Sequence, residues 1–156
     1  MHSCVNHARL GNAGRVKILP YEAAHLLAIN EQDAETYWGA VCTPEYAREL
    51  ESAGPAYTAM REDGTVLCCA GIIVHWECRA LAWAIMAREI GPDYVAVHRA
   101  VERFLNSVTT PRIEITVDCE FPAAIRWAKL LGFECEARMK CYAPGRRDHY
   151  LYARVQ

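Results

Sequence analysis

The 156-residue sequence lacks the features that mark membrane, secreted and nucleic-acid-binding proteins. Its longest apolar run, residues 66–76, is much shorter than the ~20 residues that a helix needs to span a bilayer. It has no block of basic residues and a formal net charge of −2, which argues against nucleic acid as the main partner. Residues 1–15 contain no apolar region of a secretory signal. We therefore expect a soluble protein without a membrane segment.

The eight cysteines form no metal or disulfide motif. None belongs to a Cys-x-x-Cys pair, and their spacings match no zinc module. Several stand among valine, isoleucine and leucine, where a free cysteine behaves as a small buried apolar residue. We predict reduced core thiols, no metal site, and synthesis in a reducing, intracellular compartment.

Turn and capping residues predict the order of helices and strands. One helix ends before Gly54, a long amphipathic helix follows Pro92, and a third helix ends at Gly132. Alternating apolar runs between the helices predict strands. The order β, α, α, β, β, β, α, β, α, β, β indicates one α/β (α+β) domain, residues 16–156, with a central mixed, mostly antiparallel sheet flanked by helices. Residues 1–15 would form an N-terminal arm.

The third helix ends in the sequence Ile-Arg-Trp-Ala-Lys-Leu-Leu-Gly-Phe, residues 125–133, and a strand follows. This ending, together with the order of elements, resembles the GCN5-related N-acetyltransferase (GNAT) fold over about residues 16–155. In that family a turn of the form Arg/Gln-x-x-Gly-x-Gly/Ala after the fourth strand holds acetyl-CoA, because its backbone N–H groups cradle the pyrophosphate. The resemblance therefore implies a GNAT-like domain.

The corresponding turn in this chain departs from the family pattern. It keeps one glycine, Gly91, while Pro92 lacks an N–H where a donor is required. Glu89 and Asp93 place negative charge where a phosphate would approach. We therefore expect no cofactor. If acetyl-CoA does bind, the candidate contacts are Arg88, Gly91, Asp93 and Tyr94.

The acid–base residues of the family are missing as well. Many members carry a tyrosine as general acid four residues before the helix-ending glycine, and that position is Ala128 here. The asparagine often found at the start of the same helix corresponds to Phe121. A general base near the fourth strand would be His75 or Glu77. We predict no catalytic residue beyond these two candidates.

A narrower resemblance favours a structural protein. The strand at residues 82–86, the shortened polar turn after it and the helix end at residues 125–132 are similar to the small internal virion proteins of short-tailed bacteriophages. This resemblance implies a virion structural or assembly protein, made in the host cytoplasm and bound to other virion proteins or to copies of itself. The predicted contact residues are the N-terminal arm with Arg146, Arg147, Tyr150 and Tyr152.

Two alternatives stay open. The first is an N-acetyltransferase that uses acetyl-CoA through an atypical turn and acts on a small amine or a protein lysine. The second is a degenerate fold that binds a nucleotide or another small ligand between splayed central strands. A ligand bound where the long helix begins would favour either of them over a structural protein.

Overall fold

The chain folds around one central sheet in the computed structural model, which describes residues 15–30 and 42–156. The strands are β1 (Val16–Pro20), β2 (Ala56–Arg61), β3 (Val66–Trp76), β4 (Arg79–Met86), β5 (Arg112–Asp118), β6 (Glu134–Ala143) and β7 (Arg147–Val155). The helices are α1 (Ala23–Ala28), α2 (Pro44–Ala53), α3 (Tyr94–Ser107) and α4 (Pro122–Leu130). This is the predicted order. The predicted arm, residues 1–15, lies outside the described residues except for Arg15, so its role in partner binding stays a prediction.

The sheet has the strand order β1-β2-β3-β4-β5-β7-β6. Every neighbouring pair is antiparallel except β4 and β5, which confirms the predicted mixed, mostly antiparallel sheet. The parallel pair is short: residues 79–81 pair with residues 112–114, and pairing stops there. Because β4 continues to Met86 and β5 to Asp118, the two strands diverge toward their carboxyl ends and leave a cleft in the middle of the sheet.

Helices cover both faces of the sheet. Apolar residues of α1 and α2, including Leu26 and Leu50, pack on one face, and residues of α3 and α4 pack on the other. The start of α2 follows from its sequence, since the Thr43 hydroxyl accepts a hydrogen bond from the Tyr46 N–H at 3.2 Å. Its end requires a glycine, because a Cβ on Gly54 would lie 2.2 Å from the Ile72 carbonyl oxygen. The cap at Thr43 and the close approach at Gly54 thus fix where α2 begins and ends on its face of the sheet.

The cysteines follow the core prediction in part. Cys68 and Cys69 are buried on opposite faces of β3, as strand geometry requires. Cys78, Cys135 and Cys141 are exposed instead, because they lie in a hairpin and on the edge strand β6. Within residues 15–30 and 42–156, no helix is long and apolar enough to span a membrane.

A buried charge network closes the end of the cleft where β4 and β5 pair. Glu114 is 6% exposed and accepts hydrogen bonds from Arg79 Nη2 at 2.7 Å and from Arg112 Nε at 2.6 Å. Arg112 also pairs with Glu136 on β6. Hydrogen bonding to Arg79 and Arg112 holds the pKa of Glu114 below its ordinary value, despite the opposing effect of burial. The network ties three strands together at the point from which the cleft opens.

Replacing Glu114 by glutamine should destabilise the fold by about 1–3 kcal/mol near neutral pH. Loss of one partner of a buried ion pair costs about 3–5 kcal/mol, and the partial exposure of both arginines reduces that figure through solvent screening. A lowered carboxylate pKa stabilises the fold above the unfolded value of about 4.3, and this stability is lost as the pH falls through the folded pKa. Urea unfolding should therefore show a difference in the free energy of unfolding between the wild type and Glu114→Gln, and this difference should become smaller in acid.

Glu134, an exposed residue of β6, provides the matched control. Glu134→Gln should change the free energy of unfolding by less than about 0.5 kcal/mol. A Glu114→Gln effect that stays constant from neutral pH to well below the ordinary glutamate pKa would contradict the ionic role.

Candidate active site

The divergence of β4 and β5 opens a cavity of about 360 Å³ in the centre of the molecule. Five alanines line its α3/α4 side beside larger residues such as Phe104 and Trp127: Ala82 and Ala84 project from β4, and Ala123, Ala124 and Ala128 from α4. Since each alanine carries only a methyl group, the space between the strand and the helix stays open. Because residue 128 is an alanine and not a tyrosine, the cleft is wider at this position.

Polar side chains line the opposite, α1/α2 side of the cavity. Side chains alternate along a strand, so Trp83 points away from the alanines of β4 and packs with the α1/α2 residues. Thr116 and Asp118 likewise point away from the α3/α4 core, and His149 of β7 joins them. The cavity therefore has a mainly apolar side that includes five alanines and a second side that carries Asp118 and His149.

Asp118 and His149 lie directly opposite each other in the β5–β7 ladder. Such pairs bring their Cβ atoms to about 5 Å on the same face of a sheet. Asp118 Oδ2 accepts a hydrogen bond from Arg147 Nε at 2.5 Å, and Oδ1 accepts one from the Glu120 N–H at 2.8 Å. The His149 ring packs against Tyr142, with 5.3 Å between ring centroids. Both ionisable side chains are thus held in place at the edge of the cavity.

His149 is poised as a neutral base. Its side chain is 3% exposed, and burial lowers its pKa because the interior disfavours the cation. Asp118 works in the opposite direction, and Arg147 adds to the lowering. His149 is therefore uncharged near neutral pH and able to accept a proton. His149 was not among the predicted site residues, because its pairing with Asp118, 31 residues earlier in the chain, depends on the register of the β5–β7 ladder.

The turn between β4 and α3 is built differently from a phosphate cradle. The N–H groups of Ile90 and Asp93 bond to carbonyls within the turn, at 3.3 and 2.8 Å, and Pro92 has no N–H. Arg61 holds the turn: its Nε donates to Asp93 Oδ2 at 2.7 Å and its Nη2 to the Glu89 carbonyl at 2.8 Å. Because Asp93 is 2% exposed and paired, the predicted repulsion of a phosphate by its charge was wrong.

The other predicted cofactor contacts are divided between the turn and the cavity. Arg88 and Gly91 are exposed in the turn, and a Cβ on Gly91 would meet nothing within 4 Å. Tyr94 lines the cavity and stacks on His98, with 6.1 Å between ring centroids. Burial raises the pKa of the Tyr94 hydroxyl, and the nearby Arg126 opposes this shift. Tyr94 alone of the four candidates therefore reaches the cleft.

The two predicted base candidates lie away from the cavity. His75 lies near the end of β3, and Glu77 lies in the hairpin that follows. Both side chains are exposed. That hairpin leads into the end of β4 that pairs with β5, so it is at the closed end of the cleft. Neither residue lines the cavity. The candidate base near the cleft is instead His149.

The predicted contact residues do not form one surface. Tyr152 is 3% exposed and belongs to the α3/α4 core, and Tyr150 packs against the same core. Arg147 is turned toward Asp118, whereas Arg146 is exposed in the turn before β7. The proposed tyrosine–arginine surface is thus interrupted, because Tyr150 and Tyr152 point inward.

No protein-family model matches the sequence, and no curated protein matches it either. Solved structures do match. The GNAT superfamily phosphinothricin acetyltransferase (Pat) from Sinorhizobium meliloti, in complex with AcCoA, is 19% identical with a TM-score of 0.67, over 90% of this chain and 88% of that one. An acetyltransferase (GNAT family) from Bacillus anthracis is 18% identical with a TM-score of 0.64, over 92% and 96%.

A spermidine N-acetyltransferase SpeG chimera from Vibrio cholerae and hSSAT is 16% identical with a TM-score of 0.68, over 91% of this chain and 96% of that one. The chain therefore has a GNAT-like fold, as its sequence predicts. These three neighbours are acetyltransferases, which is the class that the sequence analysis kept as its alternative.

Two predictions are corrected by the same comparison. The expectation of no cofactor was wrong, because the fold is shared with acetyltransferases and one of them was solved with AcCoA bound. The resemblance to internal virion proteins has no support, since none of the three neighbours named above is a virion protein.

Proposed function

We propose that the protein is an acetyl-CoA-dependent N-acetyltransferase acting on a primary amine. The observation that carries the proposal is the cleft between β4 and β5, with alanines on one side and the Asp118–His149 pair on the other. A cleft open on both sides of the sheet lets two molecules meet in the plane of the strands. Similar folds among N-acetyltransferases support the same activity by analogy.

The described residues fit the extended arm of acetyl-CoA. From residue 82 onward, the edge of β4 that faces β5 has no strand partner, because the β4–β5 pairing ends at residue 81. An extended ligand can hydrogen-bond to such an edge as an added strand would. Ala82 and Ala84 leave room for it beside the strand. When bound, acetyl-CoA supplies an acetyl group activated as a thioester.

The transfer step uses His149 as the general base. The amine nitrogen forms a bond to the acetyl carbon, and the bond between that carbon and the CoA sulfur breaks. His149 accepts the proton that the amine loses, and the same proton ends on the departing sulfur, which yields an amide and the free thiol of CoA. Asp118 is a positioning residue: it is anchored by Arg147 and lies beside the ring that becomes positively charged.

Side-chain charge would hold the phosphates in place of backbone amides. At most the N–H groups of Glu89 and Gly91 remain available in the turn, which is too few for the family cradle. Arg88 lies at the start of the turn, and Arg126 of α4 is close enough to Tyr94 to influence its pKa. These two guanidinium groups are the proposed partners of the phosphates.

Calorimetric titration with acetyl-CoA tests the proposal. We expect micromolar binding, weakened about tenfold or more by Arg88→Glu and by Arg126→Glu, with a smaller dependence on salt in each variant. Arg103→Glu, an exposed change near the far end of α3, should leave the affinity within about twofold. Absence of binding at millimolar acetyl-CoA would refute the proposed function, and equal loss in all three variants would refute the role of Arg88 and Arg126.

A further inference from the structure

The cavity continues below the level of the proposed base, toward the closed end of the cleft. Asp118 and His149 line it at the carboxyl end of β5, whereas Ile115 lines it three residues nearer to the closed end. Because a strand rises about 3.3 Å per residue, this lower part of the cavity extends about 10 Å beyond the base. An acetyl group adds only one methyl carbon to the thioester carbonyl and would leave most of that depth unfilled.

The lower part of the cavity reaches into the apolar core. Phe133 lines it next to the closed end, because the following residue, Glu134, pairs with Ala153, and Ala153 in turn pairs with Glu114. Other members of the α3/α4 core that line this part are Leu105, Ile115 and Leu131. All of these lining side chains are hydrocarbon. An apolar group bound among them would be removed from water, which favours its binding.

Alanines keep the walls of the lower part apart. Ala124 and Ala128 are four residues apart on α4, so they lie on the same face of the helix, about one turn from each other. Ala82 of β4 lines the cavity just beyond the last pair of the β4–β5 ladder. Larger side chains at these three positions would project into the space, whereas methyl groups leave it open to a ligand.

The cavity is large enough for a short apolar chain. A water molecule occupies about 30 Å³ in the liquid, and a methylene group is similar in size. Four methylene groups beyond an acetyl group would therefore need about 120 Å³. This is about a third of the cavity volume of about 360 Å³, and the remainder is left for the end of the acetyl-CoA arm.

We infer that the donor site takes thioesters of coenzyme A whose acyl chain is longer than acetyl, with about four to six carbons. The inference rests on the proposed function and names the acyl group that is transferred. In the step, the amine nitrogen bonds to the acyl carbonyl carbon, the carbon–sulfur bond breaks, and one proton passes from nitrogen to sulfur by way of His149. The products are the longer amide and the free thiol of CoA.

Calorimetric titration of the intact protein with acetyl-CoA, butanoyl-CoA and hexanoyl-CoA tests the inference. The affinity should rise along this series, with hexanoyl-CoA bound at least about tenfold more tightly than acetyl-CoA, because each added methylene group leaves water for an apolar wall. Dodecanoyl-CoA has a chain longer than the depth of about 10 Å and should bind no more tightly than hexanoyl-CoA. A continued rise to dodecanoyl-CoA would indicate nonspecific apolar binding and would overturn the inference.

Two variants locate the chain in the lower part of the cavity. Ala128→Leu should lower the affinity for hexanoyl-CoA at least about tenfold more than the affinity for acetyl-CoA, because the added side chain occupies the space of the acyl chain. Ala82→Val adds less volume and should act in the same direction. Ala137→Leu, an exposed change on β6 outside the cavity, should leave both affinities within about twofold of the wild type.

The outcomes separate the acyl-chain inference from the proposed function. Acetyl-CoA bound as tightly as hexanoyl-CoA would overturn the inference and leave the proposed function in place. Equal losses of both affinities in folded Ala128→Leu and Ala82→Val would also overturn it, and thermal unfolding shows whether each variant is folded. If neither variant folds, the wild-type series decides alone. Absence of binding by all four thioesters would refute the proposed function and the inference together.

Discussion

Replacing His149 by glutamine is expected to lower kcat for acetyl transfer by a factor of about 10²–10⁴, the usual contribution of a positioned general base. Glutamine has a similar size and can hydrogen-bond, but it does not accept a proton near neutral pH. The side chain lies on the α1/α2 side of the cavity, opposite the alanine-lined side proposed for acetyl-CoA. Acetyl-CoA affinity should therefore stay within about twofold, and the loss should appear in the rate.

The pH dependence of kcat gives the second half of this prediction. Because burial lowers the pKa of His149, the wild-type rate should fall in acid with a midpoint below 6.5, as the ring becomes protonated and loses its function. Asp118 opposes this lowering from β5, Arg147 reinforces it on β7, and Tyr142 packs on the ring from β6. Protonation of the free amine itself falls at higher pH, about 8 for an α-amino group and about 10 for an alkylamine, and gives a separate limb.

Steady-state rates across this pH range distinguish the base from a structural residue. The acid limb should be absent in His149→Gln and unchanged in the control His75→Gln, an exposed histidine outside the cavity. The free energy of unfolding should change with pH in the same direction as the rate. A lowered histidine pKa contributes stability above a pH of about 6.5, and this contribution is lost as the pH falls through the folded pKa. Persistence of the same acid limb in His149→Gln would assign the titration to another group.

The order of elements could be predicted because its signals are local. The Thr43 cap, the glycine at the end of α2 and the helix end before Gly132 each depend on a few adjacent residues. The last two strands are less well bounded by such signals: the apolar pattern predicts strands over residues 133–140 and 149–155, whereas β6 continues to Ala143 and β7 begins at Arg147. The two strands are joined by a tight turn in which Gly145 has a φ of 73°. This turn allows the strands to pair beyond the residues whose side chains alternate between apolar and polar.

The face that a strand residue presents to solvent could not be predicted from alternation alone. Trp76 ends the longest apolar run of the sequence, where a strand predicts a packed side chain, yet it is 50% exposed at the end of β3. The guanidinium of Arg79 lies over its ring at 5.0 Å, an arrangement suited to an exposed aromatic side chain. Alternation fixes which residues share a face, whereas the helices that cover each face depend on long-range packing.

The candidate site shows the same limit. Sequence reasoning correctly found that Ala128 replaces a proton donor and that the β4–α3 turn lacks amide donors. It treated both as losses of function because each was compared with a family pattern. In the folded chain Ala128 lines the cleft, Arg61 pairs with Asp93, and His149 of β7 is the proposed base. These relationships join residues that are far apart in the sequence, so they become visible only in the folded chain.

Filling the cleft should abolish cofactor binding more completely than any change of charge. Ala84 lines the cavity from β4 and packs toward the α3 core, so Ala84→Phe would place a ring in the space proposed for the acetyl-CoA arm. We expect the affinity for acetyl-CoA, measured by calorimetry, to fall about a hundredfold or more. Protein interiors are close-packed, so a phenyl ring in a cavity of about 360 Å³ leaves little room for an extended ligand beside it.

The fold should tolerate this change because the ring enters existing space. Overpacking costs about 1–3 kcal/mol, which a thermal unfolding measurement on the same sample will report separately from binding. Ala137→Phe provides the control, since Ala137 is exposed on the edge strand β6 and outside the cavity. Ala84→Gly, which keeps the space open, should bind within about threefold of the wild type. A folded Ala84→Phe variant that still binds acetyl-CoA with near wild-type affinity would show that the arm lies elsewhere, and the assignment of the alanine-lined side would have to be abandoned.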